Sequence, residues 1–205
     1  MYEKPKIAVD VDGIFTDFDA HWQQCAERVL GRSVPRVSEA HCLRDRYGLN
    51  LLEYNQVWRG YNADEWHRLQ VYPHAAGLIR ELEGLGGEVW AVTSVDPRHQ
   101  IAREHSLMGL IQRGRIVCVG ETGHECATPY AAKAAVLRHL GAVAFLDDHP
   151  ANVNAAIGVT ALAVLLDRGY QGLEAPEYGA TVIDDVMDFP VLVDTFLRRT
   201  QRGAA

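Results

Sequence analysis

The chain alternates short apolar runs with stretches in which apolar residues recur every three or four positions. The first run, residues 7–11 (Ile-Ala-Val-Asp-Val), is short and β-branched and stops at Gly13. It reads as a central strand covered on both faces. No further strand appears until Glu88-Val89-Trp90-Ala91-Val92-Thr93-Ser94, followed by runs at 116–119, 143–148 and 161–166, with Val182-Ile183 as a short edge strand. Between them, Ala75, Leu78, Ile79, Leu82 and Leu85 keep helical spacing, and Gly84, Gly86 and Gly87 supply a stop. Pro97 opens a second helix, Lys133, Ala135, Val136 and Leu140 lie on a third that ends at Gly141, and Pro150 starts a fourth. Residues 189–199 close the chain as a helix, with Arg198, Arg199 and Arg202 near its negative end. Strands alternating with helices predict an α/β fold, a Rossmann-like, doubly wound and mostly parallel sheet.

One segment breaks this rhythm. From Phe18 through Trp22 to Leu30, and again over residues 38–67, aromatic and aliphatic positions lack strand alternation and partly follow helical spacing. A connector of that length is too long for a structureless loop in a compact domain. It predicts a small α-helical cap, residues 18–72, inserted after the first strand of a core formed by residues 1–17 and 73–205.

Composition narrows the class. Hydrophobic content of 48% and charged content of 23% are those of a soluble globular protein, and no apolar run is long enough for a bilayer. The start of the chain lacks the apolar region of a signal peptide, which makes the cytoplasm the expected location. The four cysteines, at 25, 42, 118 and 126, form no Cys-x-x-Cys pair and read as reduced thiols. His124-Glu125-Cys126 offers mixed metal ligands without zinc spacing and reads as a loop. A formal net charge of −7 without a basic run argues against a nucleic acid polymer or a membrane surface as partner. A small anionic substrate remains compatible, because a site is set by its local field.

The chemistry gathers at the strand ends, where open α/β sheets bind their ligands. Strand one ends in Asp10 and Asp12, expected on the same side because side chains alternate. The next strand ends in Thr93 and Ser94, and a later one in Asp147 and Asp148, fed by the helix that begins near Lys133. Two carboxylates held close repel unless a cation sits between them or one keeps a proton. Acidic groups that hold a hard divalent cation, a hydroxyl and an ammonium for non-bridging oxygens, and a carboxylate that attacks phosphorus are the parts of phosphoryl transfer.

In that order and placement these residues resemble the four motifs of the haloacid dehalogenase superfamily: Asp10-Val11-Asp12-Gly13, Val92-Thr93, Lys133 and Leu146-Asp147-Asp148. The resemblance implies that Asp10 is a nucleophile forming an aspartyl-phosphate and that Asp12 is the general acid and base. It implies Mg2+ held by the Asp10 carboxylate, the Asp12 backbone carbonyl and the Asp147-Asp148 pair, with Asp148 the direct ligand of the two. Asp12 favours a phosphatase, since the dehalogenases of the superfamily lack this second acid. The run 10–18, Thr93-Ser94 and the run 146–150 are similar to the 5'(3')-deoxyribonucleotidase group, which implies phosphate contacts from Ser94 and base stacking on Phe18. The expected substrate is a small phosphorylated metabolite, nucleoside monophosphates first and sugar phosphates second. A phosphotransferase and a binding module without turnover are the alternatives.

Quieter readings stand beside these. Ser94 equally fits a helix cap, Asp17 caps the helix after it, and Asn152 hydrogen-bonds locally at a helix start. His149 reads as an exposed loop residue, and Phe18 fits a packed aromatic core as well as a stacking platform.

Overall fold

A computed structural model describes residues 3–120 and 130–203, of which 201–203 by backbone alone. The loop containing His124, Glu125 and Cys126 lies outside the described residues. Six strands, β1 (Lys6–Val9), β2 (Glu88–Thr93), β3 (Ile116–Cys118), β4 (Ala144–Asp147), β5 (Leu162–Leu166) and β6 (Ala180–Ile183), form one sheet in the order β3-β2-β1-β4-β5-β6. Every pairing is parallel, so the expectation of a mostly parallel sheet holds without an antiparallel edge. The reversal of strand order beside β1 makes its carboxyl end the topological switch point, where a crevice forms.

Helices cover both faces, and strand alternation assigns them. Ile7 and Val9 of β1 and Val89 and Ala91 of β2 point into a cluster with Leu78 and Leu82 of α4 (Ala75–Gly84). Phe189 and Val193 of α8 (Asp188–Gly203) complete that face. Ala8, Val92 and Phe145 point the other way, against Leu137 of α6 (Tyr130–Leu140) and Val153 of α7 (Pro150–Ala156). The two periods, two along strands and 3.6 along helices, are what the apolar pattern encodes. Gly87 is the tight point of the β2 face: a Cβ there would lie 2.4 Å from Ile7 Cδ1 and 2.9 Å from the Leu82 carbonyl.

The segment from Phe18 to Tyr72 folds into α1 (Phe18–Leu30), the short α2 (Leu43–Arg46) and α3 (Leu51–Asp64). Asp17 caps α1, accepting from the Ala20 amide at 3.2 Å, and Gly31 ends it at φ +65°. Asn50 and Glu53 form a reciprocal capping box at the start of α3. These helices bury a separate aromatic cluster around Trp22, Tyr47, Tyr54 and Tyr61, joined at the sheet edge by Val95 and Cys118. The chain leaves and rejoins the sheet through adjacent segments, with Asp17 N–H donating to Gln70 O and Tyr72 N–H to Phe15 O. A second tie lies further out, where Gln171 N–H donates to Glu39 O at 2.8 Å and His41 N–H to Gln171 O at 3.3 Å.

The sequence expectation differs at two boundaries. Residues 38–67 hold one turn and one long helix, because Gly48 at φ +58° separates them. Strand one stops at Val9, two residues early, because Val11 O accepts from Ile14, Phe15 and Thr16 in a tight turn. Among the described residues no helix is long and apolar enough to cross a membrane.

Trp22 is fully buried among Tyr47, Tyr54 and Trp58. Trp22→Ala is expected to cost about 3–5 kcal/mol of stability, measured by urea unfolding; a loss below about 1 kcal/mol would show that this cluster does not hold the helices together.

Candidate active site

The site starts from register. Val9 of β1 pairs with Leu146 of β4, and the Asp10 amide extends the ladder by donating to Leu146 O at 2.8 Å. Asp10 and the end of β4 are therefore neighbours by backbone geometry. Carboxylate oxygens of Asp10, Asp147 and Asp148 all lie within 4.8 Å of one another, and all three residues are buried. Lys133, the fourth residue of α6, reaches in with its side chain 1% exposed. Its Nζ donates to Asp10 Oδ1 and to Asp147 Oδ2, each at 2.7 Å.

Asp147 is saturated from behind. Its Oδ1 accepts from the His149 amide at 2.8 Å and from Asn152 Nδ2 at 3.1 Å. Asp148 instead lines a cleft of about 460 Å3 together with Asp10 and Lys133, and its Oδ2 accepts from the Tyr170 hydroxyl at 3.1 Å. The geometry thus divides the pair into an orienting carboxylate and one that faces the cleft. Gly13, at φ +80°, makes room for it: a Cβ at this position would sit 2.2 Å from Asp148 Oδ2.

Three carboxylates share one ammonium, and the imbalance shows in their protonation. Burial holds the Asp10 carboxyl well above the usual range, with Asp147, Asp148 and Asp12 adding repulsion and Lys133 opposing it. Burial, then the charge of Asp147, pushes Asp148 up to about 7. Burial disfavours the Lys133 ammonium, but Asp10 and Asp147 outweigh it and raise its pKa. A dication would reverse the carboxylate shifts, because it favours the ionised forms.

The remaining sequence-chosen residues reach the same cleft. Thr93, at the end of β2, and Ser94 line it. The Ser94 hydroxyl is buried without a hydrogen-bond partner among the described residues, so a helix cap does not occupy it. Asp12 lines the cleft but stands outside the carboxylate cluster. The strand expected to carry both Asp10 and Asp12 ends at Val9, and Asp12 stands in the turn that follows, bridged to Thr16, while both acids line the cleft. Asp12 Oδ1 accepts from Thr16 Oγ1 at 2.9 Å and from Arg103 Nη2 at 2.7 Å. Phe18 is half-buried at the cleft wall, its ring stacked with Trp58 and Trp66 at centroid distances of 6.2 and 5.8 Å. It belongs both to the aromatic cluster and to the cleft.

No family model and no curated protein matches this sequence. Solved structures do match its fold. A protein described as a predicted phosphoglycolate phosphatase from Haemophilus somnus 129PT superposes with a TM-score of 0.62 at 16% identity, over 94% of this chain and 99% of that one. A haloacid dehalogenase family hydrolase from Deinococcus radiodurans R1, with bound phosphate and sodium, gives 0.58 at 13% identity over 93% and 95%. An L-2-haloacid dehalogenase gives 0.57 at 17% identity over 94% and 99%. The fold is that of the haloacid dehalogenase-like hydrolases.

Several residues of this site escape a reading of strand ends. Arg103 comes from α5 (Gln100–Ser106), and Tyr170 from the loop after β5; neither stands in a motif. His149 is buried, not exposed as expected, because its ring Nδ1 accepts from the Ala151 amide and caps α7. Its ring packs edge-on against His41 of the helical segment at 4.5 Å, and burial with the repulsion of His149 pushes His41 down to about 4.

The raised carboxyls fix a pH dependence. The native state binds protons at Asp148 and Asp10 that the unfolded chain has released, so the contribution of these two groups to stability falls as pH rises from about 4 through about 7, while buried His41 contributes in the opposite sense. In chelator, the thermal midpoint of wild type is expected to fall by several degrees relative to that of Asp148→Asn as pH rises across that window, since the histidines act alike in both proteins. A difference between the two midpoints that stays constant from pH 5 to pH 8 in chelator would contradict the charge imbalance.

Proposed function

We propose that the protein is a Mg2+-dependent phosphomonoesterase of the haloacid dehalogenase type. The supporting observation is the buried triad of Asp10, Asp147 and Asp148 around the single Lys133 ammonium, open to the cleft at Asp148. A carboxylate that only displaces halide needs one negative charge and no cation. Three at this spacing carry more charge than one lysine offsets, and an all-oxygen donor set suits a hard divalent ion. Asp10 and Asp148 would hold Mg2+ with their carboxylates and Asp12 with its backbone carbonyl, while Asp147 keeps Lys133 and the loop in place. The bound ion would supply charge stabilisation to the phosphoryl oxygens.

The residues of the chain divide the rest. Asp10 attacks phosphorus, the bond to the ester oxygen breaks, and Asp12 gives that oxygen its proton. Asp12 then takes a proton from water as the water oxygen attacks the aspartyl-phosphate, releasing inorganic phosphate and restoring Asp10. Lys133 and the hydroxyls of Thr93 and Ser94 offer donors to the non-bridging oxygens. Residues 18–72 act as the cap. They bring Phe18, Trp58 and Trp66, as well as Arg36, Arg46 and His41, to the lining of the cleft. An aromatic wall beside a phosphate site favours nucleoside monophosphates as substrates, with other small phosphoesters next.

Mg2+-supplemented release of inorganic phosphate across nucleotides and sugar phosphates tests this reading. Chelator is expected to abolish release and added Mg2+ to restore it, and Asp10→Asn to reduce turnover below detection while the protein stays folded by circular dichroism. Full activity in chelator, or steady hydrolysis by Asp10→Asn, would overturn it.

A further inference from the structure

Arg103 has no place in the four strand ends, yet it touches one of their acids. It sits on α5 with no exposed surface, and the only hydrogen bond of its side chain among the described residues runs from Nη2 to Asp12 Oδ1 at 2.7 Å. Its Nε and Nη1 are buried and without partners among the described residues. The guanidinium lies under Trp66, 5.4 Å from the ring centroid. Stability does not account for such a group. A buried ion pair with unsatisfied donors is generally matched or bettered by apolar side chains of similar volume, because desolvation offsets the attraction.

Its geometry accounts for it better. Thr16 Oγ1, from the turn that closes around Gly13, and Arg103 Nη2, from the core helix, converge on the same oxygen of Asp12. Two donors from different elements fix both the position and the plane of the carboxyl. They occupy Oδ1 and leave Oδ2 as the oxygen for a proton passing to or from a substrate. An arginine does this better than a lysine, because its planar fork is held in orientation as well as position. Trp66 lies on the helical segment and Arg103 on the core, so the aromatic roof covers the pair only while the segment is seated against the sheet.

We infer that Arg103 is a positioning residue for the proton transfers of Asp12, held dry by Trp66. This rests on the phosphomonoesterase reading. The first half-reaction carries the clearest signature: as Asp10 forms its bond to phosphorus and the ester bond breaks, the leaving oxygen takes the proton of Asp12. An alkoxide needs that proton, whereas 4-nitrophenolate leaves without it. Misplacing Asp12 therefore harms alkyl esters selectively, and general acid catalysis typically contributes 10²–10⁴-fold.

The test compares kcat/KM, which reports the first half-reaction, for 4-nitrophenyl phosphate and for an alkyl phosphomonoester such as a nucleoside 5'-monophosphate. Arg103→Met is expected to lower the alkyl value about 100-fold and the aryl value by less than about tenfold, with Mg2+ affinity by calorimetry unchanged. Arg103→Lys, which keeps the buried charge, is expected to recover part of the alkyl rate. Should the Met variant not fold, the alkyl-to-aryl ratio of the Lys variant decides, and it is expected to remain several-fold below wild type. In an Asp12→Asn background, Arg103→Lys is expected to change neither value by more than about twofold. Equal losses on both esters, or an undiminished extra loss in the Asp12→Asn background, would overturn the positioning role and leave the phosphatase reading intact. A wild-type protein that hydrolyses neither ester with Mg2+ would overturn both.

Discussion

The constraint on which the rest of the structure depends is the placement of one ammonium among three buried carboxylates. Lys133 is held by Asp10 from one strand and Asp147 from another, so it ties α6 to the carboxyl ends of β1 and β4. With Asp148 alongside, the negative charge exceeds the positive, and in a low-dielectric setting that excess is costly. Natural folds do not keep such an imbalance for stability. The raised carboxyls of Asp10 and Asp148 are its visible consequence, and a divalent cation is the simplest group to remove it.

The sheet supplies the precision that this charge cluster needs. Central strands are covered on both faces, so Ile7, Val9 and Ala8 cannot slip by a residue without moving apolar side chains to the wrong side. The same register that fixes those residues fixes where Asp10 stands relative to Asp147. Hydrophobic burial and catalytic geometry are thus one specification. The turn after β1 adds a local one, since Gly13 both adopts a left-handed conformation and leaves room for the Asp148 carboxylate.

This is also why much of the site is legible in the sequence. Apolar runs locate the strands, and the polar residues that follow Val9, Val92 and Leu146 mark the strand ends that meet. Lys133 is legible because it opens the helix that feeds β4. What escapes is whatever depends on long-range packing. Arg103 sits at a helical position where an arginine ordinarily points to water, and only the fold brings it under Trp66 and against Asp12. Tyr170 lies in a loop whose path no periodicity encodes, and its bond to Asp148 is visible only in three dimensions. The turn that holds Asp12 is equally hidden, because the apolar run continues to Val11 although the strand stops at Val9. The likeness to the deoxyribonucleotidase group rests on motif residues alone; the matched folds carry phosphatase and dehalogenase descriptions.

On the proposed function, Asp10 and Asp12 serve the two steps of one cleft. A nucleophile works as an anion, whereas a group that protonates a leaving oxygen must carry a proton and then lose it. Were Asp10 and Asp12 to share one electrostatic environment, a cation that ionised the first would ionise the second as well. Their direct partners differ: Asp10 has carboxylates and Lys133 beside it, whereas Asp12 accepts from a hydroxyl and a guanidinium. Gly13, the residue after Asp12, turns the chain at φ +80°, and its missing side chain leaves room for the Asp148 carboxylate. The helical segment then governs the second environment more than the first, through Trp66 over Arg103. On the proposed function, specificity and proton transfer would in this way depend on the same piece of chain, while the charge cluster stays anchored in the sheet.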